Sequence, residues 1–381
     1  MKKLLIEASV LEQDRPSGVN YFTDGLARAL ETIDNNSFTV EYFWLNFLGK
    51  KAARNPLVQA AQSTNRLQQL KLIPQRVYAK LVYYRVAPPL LLRRSDWVIY
   101  PNFYIWPSLR HTRRAAVVHD MGYARHPEYV EDKNCAFLTR VVSQTVKKAE
   151  KIITISQFTT NELVELLGVP REKIITIDIP VDTSQLNKDL DHGFDRLRER
   201  YGLEKKYILS LGTIEPRKNL ELLVEAYCAL PEALRVTYSL LLAGKWGWKT
   251  ESLQQLIDQK RREGFDIITP GHIDQDDRAT FYYQASAFAI TTHYEGFGMP
   301  LLEALHCGIP SVAVDIPVLR EVADTSCLWV EKSTPSVTDG LTRILSDEAL
   351  RTDLSAAGPK QSATFSWQRT AESLVDQLFN D

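Results

Sequence analysis

Residues 207–230, YILSLGTIEPRKNLELLVEAYCAL, decide how this chain is to be read. A short apolar run, from Lys206 to Leu211, gives way to a polar turn that begins at Gly212, and apolar residues at helical spacing resume at Leu220. That is a strand feeding a helix through a glycine turn. Gly212 lets the backbone turn sharply, and Arg217 and Lys218 stand beside the start of a helix, whose free N–H groups and dipole favour an anion. Arg supplies a fork of donors and Lys a mobile point charge, so the turn reads as a cradle for a diphosphate leaving group. On its own the pair could equally be a solvated basic pair at a helix start.

The same strand-then-helix alternation recurs on both sides of this stretch, as parallel sheets with crossover helices require. The expected strands of the first half are 3–8, 39–45, 96–100, 115–119, 151–155 and 173–177. Those of the second are 206–211, 238–243, 265–269, 287–291, 311–314 and 327–330. The expected fold is therefore α/β, two Rossmann-like doubly wound domains facing across a cleft. Residues 1–190 form the first domain and 191–364 the second, with a polar linker over Asp182–Arg200. The last stretch, 365–381, is expected to be a helix crossing back to the first domain. Ligands of such sheets bind beyond the carboxyl ends of the strands, which makes the cleft the default site.

A second motif follows the strand AFAITTH: Glu295-Gly296-Phe297-Gly298-Met299-Pro300-Leu301-Leu302-Glu303. Pro300 suits the first turn of a helix, and Cys307-Gly308 closes it after barely two turns. Gly296 and Gly298 allow backbone amides to approach a ligand. Glu295 and Glu303, the latter placed near the helix N-terminus, would accept hydrogen bonds from hydroxyls at two ends of an elongated molecule. In the first half, His119-Asp120 ends the strand RAAVVH, and the loop Pro16-Ser17-Gly18 opens a helix that would present Gly18 to a phosphate or an acceptor.

The motifs EPRKN and EGFGMPLLE, in that order and about 80 residues apart, resemble glycosyltransferase family 4, retaining enzymes of the GT-B fold. The resemblance covers nearly the whole chain. It implies that Arg217 and Lys218 bind the donor diphosphate, that Glu295 contacts the donor sugar, and that Glu303 holds the nucleotide ribose. By the same resemblance the amides of Phe297 and Gly298 face the sugar, Gly271-His272-Ile273 flanks the base, and His119 lies near the anomeric carbon with Asp120 on the acceptor side. Two departures stand out: Ser17 occupies the place of the first of two glycines, and Ile179-Pro180 precedes Val181-Asp182 where relatives carry Asn-Gly. Together with HDMGYARHPEY and GTIEPRKN, the pattern looks most like bacterial mannosyltransferases of O-antigen or exopolysaccharide synthesis. That implies GDP-mannose as donor and a lipid-linked oligosaccharide as acceptor.

The net charge of -1 gives no global drive toward nucleic acid, and no module for it is present. Between Lys50 and Arg94, however, ten Lys or Arg occur with no Asp or Glu, interleaved with Leu, Val and Tyr. Such a stretch lies on an anionic membrane surface or packs as a helical excursion with a solvated basic face. No apolar run is long enough to span a bilayer, and MKKLLIEASVLEQD turns acidic too early for a secretory leader, so a cytoplasmic, peripheral protein is expected. Cys135, Cys228, Cys307 and Cys327 lack metal-binding spacing. Of two D-x-D strings, Asp274-Gln275-Asp276 reads as a helix cap and Asp189-Leu190-Asp191 as linker. No metal and no other cofactor is expected, the sugar nucleotide being substrate. No G-x-S-x-G elbow supports a hydrolase. A nucleotide-sugar epimerase, a UDP-sugar-dependent transferase and a catalytically silent nucleotide-sugar-binding partner remain as rival readings.

Overall fold

The computed structural model describes residues 2–13, 17–33, 38–49, 51–71, 73–183, 186 and 193–380. The chain divides into two compact units, one made of Met1–Ile179 with Ser366–Asp381 and the other of Pro180–Phe365. The boundary expected between residues 190 and 191, like Pro16 and the second D-x-D string, lies outside the described residues.

The first unit holds a seven-stranded parallel sheet of β1 (Lys2–Glu7), β2 (Phe38–Leu45), β3 (Leu67–Leu70), β4 (Trp97–Tyr100), β5 (Arg113–Val118), β6 (Lys151–Thr154) and β7 (Ile174–Thr176), in the order β3-β2-β1-β4-β5-β6-β7. The second holds β8 (Lys206–Leu211), β9 (Tyr238–Ala243), β10 (Ile267–Gly271), β11 (Ala287–Ile290), β12 (Ser311–Val314) and β13 (Leu328–Val330), in the order β10-β9-β8-β11-β12-β13. These central strands are apolar on both faces because helices cover both sides of a parallel sheet. Ile208, Leu209, Leu240, Leu241, Phe288 and Ala289 are accordingly sealed from solvent. Strand β3 was not expected. It is an edge strand of four residues, LQQL, in which only Leu67 is buried, so it has no apolar run to announce it.

Sheet order reverses between β1 and β4 in the first unit and between β8 and β11 in the second. These are the topological switch points, where diverging loops leave room for a ligand. In the first unit, α1 (Gly18–Thr32) follows β1 and buries Phe22, Leu26 and Leu30 on one face. Ser17, which stands in place of a glycine, is its N-cap: Oγ accepts from the Asn20 N–H at 3.4 Å. The helices α2 (Pro56–Ser63) and α3 (Gln75–Tyr84) lie within the acid-free stretch. The C-terminal helix Trp367–Phe379 packs on α1, and a Cβ at Gly25 would collide with the Trp367 ring. The Trp97 indole also donates to the Leu378 carbonyl at 2.6 Å. Among the described residues no helix is long and apolar enough to cross a membrane.

Candidate active site

The loops that leave β8 and β11, neighbours at the switch point of the second sheet, carry the basic turn and the first glutamate. After β8 the backbone passes through Gly212 at φ +150, a conformation open to glycine. Its N–H donates to Ala243 O (2.9 Å), Ile214 N–H to Lys245 O (2.9 Å) and Gly247 N–H to Ile214 O (2.8 Å), so the loops after β8 and β9 are zipped together. Gly244 makes that approach feasible, since a Cβ there would stand 1.7 Å from the Gly212 carbonyl oxygen. Arg217 and Lys218 then lie on a separate 3-10 turn, Pro216–Lys218, just ahead of the helix Leu220–Cys228.

The loop after β11 is bonded to that turn by its backbone and hydroxyls. Thr292 Oγ1 donates to Arg217 O (2.8 Å), Thr291 Oγ1 to Asn219 O (3.0 Å) and His293 N–H to Arg217 O (2.8 Å). Glu295 is thereby brought between the two cations. Its Oε2 accepts from Arg217 Nη1 and its Oε1 from Lys218 Nζ, each at 2.5 Å. Burial by itself would raise the Glu295 pKa, but Arg217 and then Lys218 outweigh it and hold the carboxylate at about 2. Arg217 is engaged elsewhere as well: Nε and Nη2 donate to Glu215 Oε1 at 2.9 and 2.6 Å, and Nη1 donates to Tyr294 O at 2.9 Å.

Two cations facing two buried carboxylates make a cluster whose formal charge is zero, rather than the free cationic cradle that the spacing suggests. Glu215, Thr291 and Thr292 were missed. The string TTH, with two hydroxyls directly after a strand, was the only signal for the threonines, while Glu215 stood in the EPRKN motif without a role assigned to it. The functional consequence is a division of labour. The Arg217 fork is taken up in holding the site, whereas Lys218 spends one of three N–H donors on Glu295 and lies against Gly212.

Glu303 belongs to a second cluster. It sits in the second turn of the helix Met299–His306, and its Oε2 accepts from Tyr282 Oη at 2.6 Å and Arg278 Nη2 at 2.5 Å. Its charge therefore faces a guanidinium, in addition to the helix N-terminus considered from sequence. Burial alone would lower the Arg278 pKa, yet the Glu303 carboxylate raises it. Among the described residues Glu303 Oε1 carries no protein hydrogen bond, which leaves an acceptor at this end. Arg278 and Tyr282, three and seven residues into the helix that follows β10, were also missed; they lie four apart on one helix face, a pattern that core packing produces as readily.

Gly298 starts the Glu303 helix at φ +105, where a Cβ would meet Leu319 Cδ2 at 2.7 Å. The Phe297 ring is buried edge-on against Phe365, with centroids 5.7 Å apart, so this residue can offer a ligand only its backbone. Gly296 is buried, Ile273 half-buried and His272 exposed just beyond β10.

In the first unit, β5 ends at Val118 and His119 is the residue after it. Its ring lies between Phe22 and Phe103, at 5.2 and 5.4 Å, with Nε2 2.7 Å from Pro101 O. A carbonyl only accepts, so Nε2 bears the proton and Nδ1 remains an acceptor. Burial pushes the His119 pKa down to about 4, so the ring is neutral. Asp120 is half-buried, its Oδ1 accepting from the Gly122 N–H at 2.9 Å. Gly18 is exposed at the N-terminus of α1, with open space where a Cβ would stand.

Asp274 occupies the N-cap position of the helix Gln275–Tyr283 without capping it; its carboxylate pairs instead with Arg200 at 2.6 Å. Among the described residues no group of three His, Cys, Asp or Glu is arranged to hold a metal ion. Burial drives the Cys228 and Cys307 thiols up to about 11 and about 12, against thiolate chemistry near neutrality.

Two Rossmann-like parallel-sheet domains in one chain, with charged loops at a switch point, define the GT-B class. Residues 16–185 match the family model described as Glycosyltransferase Family 4, and residues 194–361 the one described as Glycosyl transferases group 1. The chain belongs to these glycosyltransferases, a family 4 domain followed by a group 1 domain. It is 29% identical over 303 residues to the O-antigen chain mannosyltransferase B of Escherichia coli, covering 77% of this chain and 78% of that one. It is also 29% identical over 271 residues to the serotype-specific mannosyltransferase WbdA of Escherichia coli, covering 69% of this chain but only 33%, about a third, of that longer protein. Among solved structures, Anabaena HepE, crystallised with UDP and glucose, superposes over the full length of both chains with a TM-score of 0.69 at 14% identity.

Proposed function

We propose that the protein is a retaining hexosyltransferase that moves mannose from GDP-mannose to a lipid-linked oligosaccharide during synthesis of a cell-surface polysaccharide. The carrying observation is the Arg217–Glu295–Lys218 cluster at the β8/β11 switch point. Mannose is supported by the names of the Escherichia coli relatives, GDP and retention by the family resemblance.

On this reading, Lys218 keeps its bond to Glu295 and turns its remaining N–H groups to the diphosphate. Glu295, ionised, accepts hydrogen bonds from sugar hydroxyls, and Glu303 accepts from the ribose through Oε1. The bond from the anomeric carbon to the phosphate oxygen breaks, and a bond from that carbon to the acceptor oxygen forms on the same face. The acceptor's proton passes to the departing phosphate oxygen. The developing negative charge is met by Lys218, on a turn held in place by the bonded loops around it. His119, neutral, offers Nδ1 to a sugar hydroxyl near the anomeric carbon. His272 and Ile273 flank the base, the backbone at Phe297 and Gly298 faces the sugar, and Gly18 with Asp120 serves the acceptor side. No metal takes part in this scheme.

Thermal shifts with a panel of GDP and UDP sugars, followed by mass analysis of product from an oligosaccharide-lipid acceptor, test the reading. GDP-mannose should stabilise the protein and extend the acceptor by one or more hexoses. Stabilisation by UDP sugars alone would select the UDP-dependent reading, which the HepE complex with UDP and glucose favours. Conversion of the donor without acceptor would select an epimerase.

The exposed face of α3 is proposed to meet an anionic membrane surface. Arg76 and Lys80 are exposed on α3 beside Val77 and Tyr84, Arg85 and Val86 are exposed directly after it, and none of the three cations pairs with a carboxylate among the described residues. Tyr78 faces inward and is sealed in the core. Basic heads around apolar tips are the composition of an interfacial helix.

A further inference from the structure

A groove of about 770 Å³ runs along the carboxyl edge of β2 and β3, lined by Lys51, Ala53, Gln59, Gln62, Ser63 and Gln69 among others. Among the described residues no carboxylate lines it, Lys51 is the one charged residue of the lining, and Lys71 lies beside Gly49 at its rim. The rest is amide, hydroxyl and backbone. A phosphate is held best by a fixed fork of charged donors, which exposed lysines on flexible stems do not supply, and an apolar molecule would strand the amides. A hydroxyl-rich neutral ligand fits, because each hydroxyl both donates and accepts, as a primary amide does. The volume falls within the range of small-molecule sites, roughly 300–1,000 Å³.

The walls are built rather than incidental. Asn46, 2% exposed, donates to Lys51 O at 2.8 Å and accepts from Lys51 N–H at 3.1 Å, while its Nδ2 also reaches Gln69 Oε1 at 3.4 Å. The Gln69 amide is thus oriented with its nitrogen unspent among the described residues. Gln59 is turned by its bond to Ala53 O at 2.9 Å, leaving its oxygen as acceptor, and Gln62 has both ends available. Glu12 accepts from the N–H groups of Arg54 and Asn55 at 2.8 and 3.2 Å, and the Asn55 side chain donates to Asp24 of α1 at 2.7 Å. Bonds from the loop beside the groove thus reach Glu12, which follows β1, and Asp24 of α1. Phe47 and Leu48, 40% and 55% exposed on the turn after β2, add apolar surface of the kind that the C–H face of a sugar ring covers.

The groove opens on the same edge of the sheet as His119. Three strand spacings separate β5 from β2, about 14 Å at ~4.8 Å each. We infer that this groove is a distal subsite for an uncharged oligosaccharide acceptor, gripping sugar residues several units from the reacting hydroxyl. The inference rests on the transferase reading for its acceptor, but its binding chemistry can be read without turnover.

The test uses the full chain with mannotetraose, maltotetraose and chitotetraose, each against its monosaccharide, in saturation-transfer NMR. Two variants accompany it: Gln69→Ala, which removes a donor, and Gln62→Trp, which fills the groove from an exposed helix position. At least one tetrasaccharide should bind, its monosaccharide should not, and both variants should weaken binding at least fivefold with an unchanged melting temperature and unchanged donor-induced stabilisation. Equal binding by wild type and both variants, or no binding of any tetrasaccharide, overturns the subsite. Loss of all response to nucleotide sugars with groove binding retained would instead sink the transferase reading alone.

Discussion

Glu295 shows how far a single side chain depends on what faces it. Its two oxygens are each held by a cation in a site where it is 5% exposed, so removing the carboxylate leaves Lys218 without its counter-charge and Arg217 with Glu215 alone. Breaking a buried pair in this way costs about 3–5 kcal/mol, so Glu295→Ala should lower the melting temperature as well as turnover. Lys218→Ala separates the two effects, because Arg217 still pairs with Glu295: it and Glu295→Gln should each reduce kcat by two orders of magnitude or more, with Lys218→Ala melting closer to wild type than Glu295→Gln. Near-normal turnover in both would remove the cluster from the mechanism. The pH dependence follows from the same pairing. Because the folded pKa of about 2 lies below the ordinary 4.5, the unfolded chain binds the proton first; the stabilisation is complete above pH 4.5 and is lost as pH falls toward 2. The shift corresponds to roughly 3 kcal/mol. His119 acts in the same direction at higher pH: its folded value of about 4 lies below the ordinary 6.5, so stability falls as pH drops from 6.5 to 4. Urea midpoints measured from pH 7 to pH 3 should show His119→Asn flattening the upper window and Glu295→Gln the lower one.

At the scale of the element, the site is a set of loops that must come closer than side chains allow. Gly212 and Gly244, at φ +150 and +148, lie at the carboxyl ends of adjacent strands β8 and β9, and Gly244 N–H also donates to Gly271 O at 2.8 Å. Gly244→Ala places a Cβ against a carbonyl oxygen that belongs to backbone and cannot rotate away. We expect that variant to lose donor-induced stabilisation and at least several degrees of melting temperature. Gly18→Ala, at a helix N-terminus with open space around it, should melt like wild type. A Gly244→Ala protein with wild-type melting and donor response would show that the loops tolerate separation.

For the whole molecule, charge is distributed by region, since a chain near neutrality overall concentrates ten unopposed cations between residues 50 and 94. Some are spent internally, as Arg66 on Glu31 and Arg93 on Glu41, while Arg76, Lys80 and Arg85 cluster exposed on and just after α3. Each basic side chain near an anionic bilayer contributes about 1 kcal/mol, so Arg76→Glu, Lys80→Glu and Arg85→Glu together should weaken binding to phosphatidylglycerol vesicles by a factor of about 100 or more. Neutral phosphatidylcholine vesicles should not distinguish the proteins. Equal sedimentation of variant and wild type with anionic vesicles would assign the α3 face to solvation alone.

The alternation of apolar runs with helical spacing determined two parallel sheets, because a strand covered on both faces must be apolar along its whole length and a crossover helix must be amphipathic. β8, β9 and β12 begin and end where that pattern begins and ends. The glycine turn with Arg217 and Lys218 and the Glu295–Glu303 spacing were legible for a related reason, since their chemistry is local to a strand end. Partnership was not legible. That Glu295 neutralises both cations, that Glu303 pairs with Arg278 and Tyr282, and that Asp274 serves Arg200 instead of its own helix depend on which loops the strand order places side by side. β3 was hidden likewise, its glutamines turned to use only by segments that fold against them, Gln69 by Asn46 and Gln68 by Leu91 and Arg93. Sequence carries periodicity and propensity along the chain, whereas charge pairing acts across distances that only the order of strands in the sheet decides.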